Sequence, residues 1–169
     1  MLKFLAPHLR VERVEELTLE RLREMDIEFL LLDVDCTLKR YRAAEVTPEV
    51  DAWMDELRSG GIQLCLASNG LGKRIGEFAG KVDLPFFAKA LKPFPFRIRK
   101  AMRRMGYDPK KTAMVGDQLF ADVIAGRLAG LTSILVRPIH PEEEHWFTRV
   151  KRPPERLLLR LMGTAEKRK

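Results

Sequence analysis

Cysteine is almost missing from this chain: Cys36 and Cys65 are the only two, and histidine occurs three times. Two cysteines cannot build the multi-bridge framework of a small secreted domain. With three scattered histidines they also fall short of a structural zinc site. Cys36 lies between Asp35 and Thr37, but no histidine is near it in sequence, which leaves a catalytic thiol without a base. Both thiols are expected to be buried and free. Long apolar runs are lacking too. None approaches the ~20 residues of a membrane-crossing helix, and the run within residues 1–8 is too short for a secretory signal. Cytoplasmic residence is the expectation. Internal repeats and low-complexity stretches are absent from the sequence. Positive charge is what the chain has in excess. Its net charge of +7 favours polyanionic partners (nucleic acid, an anionic membrane, a phosphate-rich ligand) without choosing among them. At 169 residues and 46% apolar, the chain suits one domain with a real hydrophobic core.

The chain is organised around Phe29-Leu30-Leu31-Leu32-Asp33-Val34-Asp35-Cys36-Thr37-Leu38. Such an apolar run reads as a strand buried on both faces. It ends on two carboxylates and a hydroxyl at alternate positions. Two acids at the end of a hydrophobic strand repel each other and must be desolvated. A hard divalent cation such as magnesium removes that penalty. The same pair could also simply cap the next element and open a turn.

Apolar periodicity and turn residues divide the rest. Residues 1–17 read as a short amphipathic arm, and Thr18 caps a short helix reaching Met25. The central strand covers about residues 28–33, and a loop carrying Lys39, Arg40 and Arg42 follows. Thr47-Pro48 then opens a helix whose Val50, Trp53, Met54 and Leu57 share one face until Gly60-Gly61. Strands over about 62–67, 86–88, 112–116 and 132–136 alternate with helices over about 71–79, 96–105 and 119–129. The alternation implies parallel β-α units, and so a doubly wound, Rossmann-like α/β fold around a five-stranded parallel sheet. Ligands of such sheets bind at the carboxyl ends of the strands, where Asp33, Asp35, Ser68 and Asp117 all fall. Composition shifts at Pro138. Residues 1–138 form the core with its arm, and residues 139–169 form a basic extension of the same domain. That extension is expected to break at Pro153-Pro154 and to fray at Lys167-Arg168-Lys169.

Four stretches in order now carry a resemblance. Asp33-x-Asp35-x-Thr37, the strand ending in Ala67-Ser68-Asn69, Lys89-Ala90-Leu91-Lys92-Pro93, and Val115-Gly116-Asp117-Gln118 with Asp122 resemble the four motifs of the haloacid dehalogenase (HAD) phosphohydrolase superfamily. The likeness spans roughly residues 18–138. It implies a magnesium-dependent phosphomonoester hydrolase in which Asp33 is the nucleophile of an aspartyl-phosphate intermediate. Asp35 would protonate the leaving alkoxide and then activate water, its carbonyl reaching the metal. Thr37 would steady this loop and, with Ser68 and the Asn69 amide, belong to the phosphate-binding set. Lys92 would neutralise the phosphate and the nucleophile. The metal set implied is Asp33, Asp35, Asp117 and Asp122. Plainer readings stand beside these: a Ser-Asn-Gly turn, a surface lysine at Lys92, and a helix-surface carboxylate at Asp122.

The gaps from Thr37 to Ser68 and from Ser68 to Lys92 are too short for a cap domain. An uncapped site is open and favours macromolecular or interfacial substrates. The spacing, with Gly116-Asp117-Gln118 and Asp122, resembles the YqeG-type branch of HAD subclass IIIA, which is similar to the mitochondrial phosphatidylglycerophosphatases. Cys36 stands where many relatives have Asn, and Gly70 where a second Asn is common. The resemblance implies an anionic phospholipid head group as substrate and peripheral contact with the inner face of a membrane. Trp146 and Phe147 beside Arg149, Lys151 and Arg152 suit such an interface. Leu157, Leu158 and Leu161 are expected to pack on the domain. Two alternatives stay open: a soluble phosphatase of a small metabolite or phosphoprotein, and a nucleic-acid-binding protein that keeps the fold, although no RNA-binding motif is evident.

Overall fold

The computed structural model of the protein describes residues 6–162. Its centre is a wholly parallel sheet in the order β1-β6-β5-β2-β3-β4. The strands are β1 (Leu9–Val11), β2 (Phe29–Leu32), β3 (Gln63–Ala67), β4 (Phe86–Phe87), β5 (Thr112–Gly116) and β6 (Thr132–Val136). Helices α1 (Leu19–Glu24), α2 (Pro48–Ser59), α3 (Gly72–Val82), α4 (Phe96–Met105), α5 (Ile124–Ala129) and α6 (Trp146–Leu161) flank it.

Successive residues of the inner strands serve opposite faces. Leu30 and Leu32 join Leu64, Leu66, Ala113 and Val115 in the layer under α2 and α3. Leu31 joins Cys65, Ala67 and Met114 beneath α4 and α5. This two-sided burial, worth about 1.5–3 kcal/mol for each large side chain, is why the strands read as unbroken apolar runs. Local chemistry sets the helix starts. Thr18 accepts from the Arg21 N–H at 3.3 Å, Thr47 from the Val50 N–H at 3.4 Å, and Pro48 occupies the first turn of α2. Trp53 is a core residue whose Nε1–H donates to the Leu17 carbonyl at 3.0 Å.

The sheet has six strands, not five. β1 lies at the edge beyond β6, with Leu9 opposite Ile134 and Val11 opposite Val136, and the His8 N–H donates to the Ser133 carbonyl at 2.8 Å. Three residues with a charge in the middle are too few to display a period of two, so the stretch reads as an amphipathic arm in sequence. A second correction concerns α6, which runs unbroken through Pro153 and Pro154. Both prolines are exposed, as are Arg149 and Val150, the residues whose carbonyls these rings deprive of helical donors. Ion pairs on the buried face hold the helix in place, as described below. Lys167-Arg168-Lys169 lies outside the described residues.

From β2 the chain steps outward to β3 and β4, then returns past β2 to β5 and β6. The strand order therefore reverses beside β2, and the carboxyl ends of β2, β3 and β5 open a crevice there. Only α2 intervenes between β2 and β3, and only α3 and β4 between β3 and α4, so no cap domain is inserted. No helix among the described residues is long and apolar enough to cross a membrane.

Candidate active site

The crevice holds three buried carboxylates. The Asp33 N–H donates to the Val115 carbonyl at 2.9 Å, which extends the β2–β5 ladder one residue and delivers the Asp33 side chain at the sheet end. Asp117 follows β5 directly. Asp122 returns to the same spot because residues Leu119–Val123 form one wide π turn, in which the Asp122 and Val123 N–H groups both donate to the Gln118 carbonyl. One oxygen from each of Asp33, Asp117 and Asp122 lies within 4.8 Å of the other two. Lys92 Nζ donates at 2.6 Å to Asp33 and at 2.6 Å to Asp122.

Gly116 makes this approach possible. A Cβ there would sit 2.2 Å from the Asp122 carboxyl carbon. Gly116→Ala is therefore expected to push Asp122 off Lys92, cost about 1–3 kcal/mol of stability and lower turnover sharply. Thermal melts and phosphate-release assays on that variant check both effects.

Electrostatics favour a cation here. Burial pushes the Asp33 carboxyl up to about 8 despite Lys92, and pushes Asp117 up to about 6 despite Arg152. Burial alone would lower the Lys92 ammonium, but Asp122 and Asp33 outweigh it and hold the group well up. With all three carboxylates ionised the cluster has only Lys92 and Arg152 against it, so a further cation would favour the ionised forms that burial disfavours. Three hard oxygen donors and no soft ligand fit a magnesium-type ion held by Asp33, Asp117 and Asp122. Such an ion, when bound, supplies neutralisation between the nucleophile and the phosphoryl oxygens.

Asp35 sits apart from that cluster. Its carboxylate accepts from Lys39 at 2.8 Å and from Arg74 at 2.9 and 2.5 Å and is not among the carboxylates that converge, which leaves its main chain to face an ion. Burial pulls this acid up, but hydrogen bonds from Arg74 and Lys39 outweigh it and leave the carboxyl below its usual range. Cys36, next in the chain, has φ 64, the left-handed region that Asn tolerates better than most residues. Burial pushes its thiol well up, which removes any thiolate at neutral pH. The Thr37 hydroxyl donates to Asp117 Oδ1 at 3.0 Å and is committed there. The Ser68 hydroxyl accepts from the Gly70 N–H at 3.1 Å. Asn69 clasps the Lys92 main chain from both sides, its Nδ2 donating at 2.9 Å and its Oδ1 accepting at 2.8 Å. Its side chain fixes the lysine loop, and its own N–H is what remains to meet a phosphoryl oxygen.

Asp33, Asp35, Ser68, Asn69 and Lys92 line a cleft of about 120 Å³ with Tyr41, Gln118, Glu144, His145 and Thr148. The last three belong to the C-terminal segment, so that segment walls the mouth. Arg152 of α6 goes deeper, with both amino groups on Asp117 and with Glu144 and Glu155 beside it. In sequence, Arg152 looks like one more base in a solvated run, yet it is buried, with Glu144 and Glu155. The spacing of Arg152 and Glu155, one helical turn apart, is a signal, but nothing local distinguishes it from a surface pair. Lys39 and Arg74 were equally invisible as partners of Asp35.

Comparison with known proteins gives the same picture. The profile of the haloacid dehalogenase-like hydrolases matches residues 3–130. The "Probable phosphatase YqeG" of Bacillus subtilis is 32% identical over 157 residues, 93% of this chain and 91% of that protein. The phosphoserine phosphatase of Thermus thermophilus is 31% identical over 134 residues, 73% of this chain and 51% of that protein. Among solved structures, the cobalt-bound deoxy-D-mannose-octulosonate 8-phosphate phosphatase of Haemophilus influenzae superposes with a TM-score of 0.54 at 18% identity, covering 83% of this chain and 92% of its own. That likeness speaks to the fold. With its parallel sheet, its buried carboxylates at the strand ends and its phosphatase relatives, the chain belongs to the haloacid dehalogenase-like hydrolases and is a phosphatase of that family.

Proposed function

We propose that this phosphatase is magnesium-dependent and removes the terminal phosphate of an anionic phospholipid head group at a membrane surface, with phosphatidylglycerophosphate as the substrate to try first. Asp33 attacks phosphorus and forms an aspartyl-phosphate while Lys92 balances the charge. Asp35 serves the leaving oxygen and then water once the bound phosphate draws off Arg74 and Lys39, the cations that hold its carboxyl low in the free site. Ser68 and the Asn69 N–H receive the phosphoryl oxygens.

One observation carries the lipid reading: the cleft has room for a phosphoryl group and little more, and its rim is apolar and cationic. Leu71 is two residues past Asn69, Leu91 and Phe94 flank Lys92, and Phe96 stacks on Phe94 at 6.4 Å between ring centroids. All four are more than half exposed. Arg97 and Lys100 in the first turns of α4 are also exposed. Across the mouth, α6 turns Trp146, Phe147, Val150, Leu157 and Leu161 to solvent, with Lys151 Nζ 4.2 Å from the Phe147 ring centroid. Leu158 is partly buried against the domain, as expected, but Leu157 and Leu161 are not. Large apolar groups beside cations suit an anionic bilayer.

The test is magnesium-dependent phosphate release from phosphatidylglycerophosphate in mixed micelles, beside a phosphosugar, a phosphopeptide and an aryl phosphate. Selective release from the lipid is expected. Replacing Phe94 and Phe96 by Glu should cut lipid turnover and sedimentation with anionic vesicles about tenfold or more, and leave aryl phosphate turnover alone. Hydrolysis of the phosphosugar or phosphopeptide but not the lipid would overturn the lipid reading and keep the phosphatase.

A further inference from the structure

The C-terminal helix packs Leu158, Leu159 and Met162 on Leu119, Val123 and Leu135, but the residues it sends to the carboxylate cluster are ionic. Arg152 Nη1 donates to the Asp117 carbonyl at 2.6 Å, and Nη2 donates to Asp117 Oδ2. With the Thr37 hydroxyl on Oδ1 at 3.0 Å, Asp117 is pinned at its main chain and at both carboxylate oxygens. Each of those oxygens keeps a lone pair for another partner. Arg152 is fixed in turn, its Nε donating to Glu144 at 3.1 Å and its Nη1 lying 3.5 Å from Glu155. Glu155 also accepts from the Phe120 N–H at 2.8 Å, on the π turn two residues before Asp122. One helical turn of α6 therefore touches the carriers of both acids that follow β5.

That apolar packing already attaches the helix, and a buried ionic network adds little to it, because removing these charges from water costs about as much as their attraction returns. The opposite face of this helix has the apolar residues, Trp146, Val150, Leu157 and Leu161, turned to solvent. The arrangement makes sense if the inward charges have a task at the cluster. A guanidinium suits it, since its planar fork fixes the direction as well as the distance of the group it holds.

We infer that Arg152, seated by Glu144 and Glu155, is a positioning residue for the divalent-cation site: it sets the orientation of Asp117 and, through Glu155, the placement of Asp122, so that the two share one ion with Asp33. This rests on the magnesium dependence proposed above and extends it to a part of the chain beyond the four motifs. α6 is then a working part of the site rather than an appendage.

The experiment is calorimetric titration of Mg2+ into the full-length protein, with thermal melts of the same samples, for wild type, Arg152→Met, Arg152→Lys and Glu155→Gln. Partners of metal ligands typically contribute about ten- to a hundred-fold in affinity. Arg152→Met is expected to weaken the Mg2+ dissociation constant by that factor. Arg152→Lys should recover little of it, since an ammonium cannot fork across Asp117. Glu155→Gln, which keeps the shape of the side chain, should weaken Mg2+ by a smaller factor and remain folded if Arg152→Met does not. A purely structural Arg152 would lower the melting temperature and leave the affinity of the folded protein within twofold, and that result overturns the inference. Tighter Mg2+ binding in Arg152→Met would overturn it too, by making the arginine a competitor of the ion. Absence of Mg2+ binding by wild type would instead remove the cation reading itself, and the inference with it.

Discussion

Asp33→Asn is expected to lower phosphate release by roughly 10⁴-fold or more on every substrate, because a carboxamide cannot attack phosphorus as a carboxylate does. The fold should survive. Asp33 is packed at the end of β2 by a main-chain bond to Val115 that the substitution leaves intact, and Asn keeps its shape. Stability adds an independent check in magnesium-free buffer. Burial pushes the native Asp33 carboxyl up to about 8, whereas in the unfolded chain it titrates near 3.8. Between those values the native state holds the extra proton, so stability declines as pH rises through the window. Asn has no proton to lose. The variant's melting temperature should therefore fall less than wild type's between pH 5 and pH 8. Turnover within tenfold of wild type would remove Asp33 from the nucleophile's place. Parallel pH dependence of the two melting curves would mean that its carboxylate is not penalised by burial.

Much of this site was legible because its parts lie at the ends of buried strands. A strand covered on both faces leaves an apolar run with a visible end, and Asp33, Ser68 and Asp117 each stand directly after one. The caps at Thr18 and Thr47 were legible for the same kind of reason, being local chemistry within a few residues. The edge strand was not. Leu9–Val11 owes its conformation to a partner more than 120 residues away, and three residues carry no period.

The contacts between side chains were hidden for a different reason. A carboxylate beside a phosphate motif announces a role, but whether Arg74 or a water satisfies Asp35 depends on the turn of α3. Arg152 was masked by its neighbours. Arg149 and Arg156 are exposed bases and Lys151 is half-buried, and one buried base among them has the same composition. The periodicity of α6 is informative only once its inner face is known to carry Arg152 and Glu155 beside Leu158 and Leu159. Leu157 and Leu161 then fall on the outer face, where an ordinary amphipathic helix would have its charges. Pro153-Pro154 misled in the same direction, because the cost of proline in a helix depends on whether water can reach the carbonyls it orphans.

Lys92→Met should be the most damaging single change to the metal-free fold. Methionine nearly matches the length of lysine but leaves Asp33 and Asp122 facing each other without the ammonium that sits 2.6 Å from both. Breaking a buried ion pair from one side costs about 3–5 kcal/mol. That is a large part of the 5–15 kcal/mol typical of a domain, and it corresponds to a melting temperature lower by about 10 °C. Two conditions should restore part of the loss. Mg2+ at millimolar concentration returns positive charge to the same oxygens, so it should raise the variant's melting temperature by more than it raises wild type's. Acid should help as well. Without Lys92 the already raised Asp33 carboxyl rises further, the native state binds more protons than the unfolded chain above pH 4, and stability therefore increases as pH falls toward that value. Turnover should stay low even when the fold is restored, since neither Mg2+ nor a proton replaces a cation held against both the nucleophile and the phosphoryl group. A variant as stable as wild type in chelator, with the same response to Mg2+ and pH, would show that Lys92 does not neutralise this cluster.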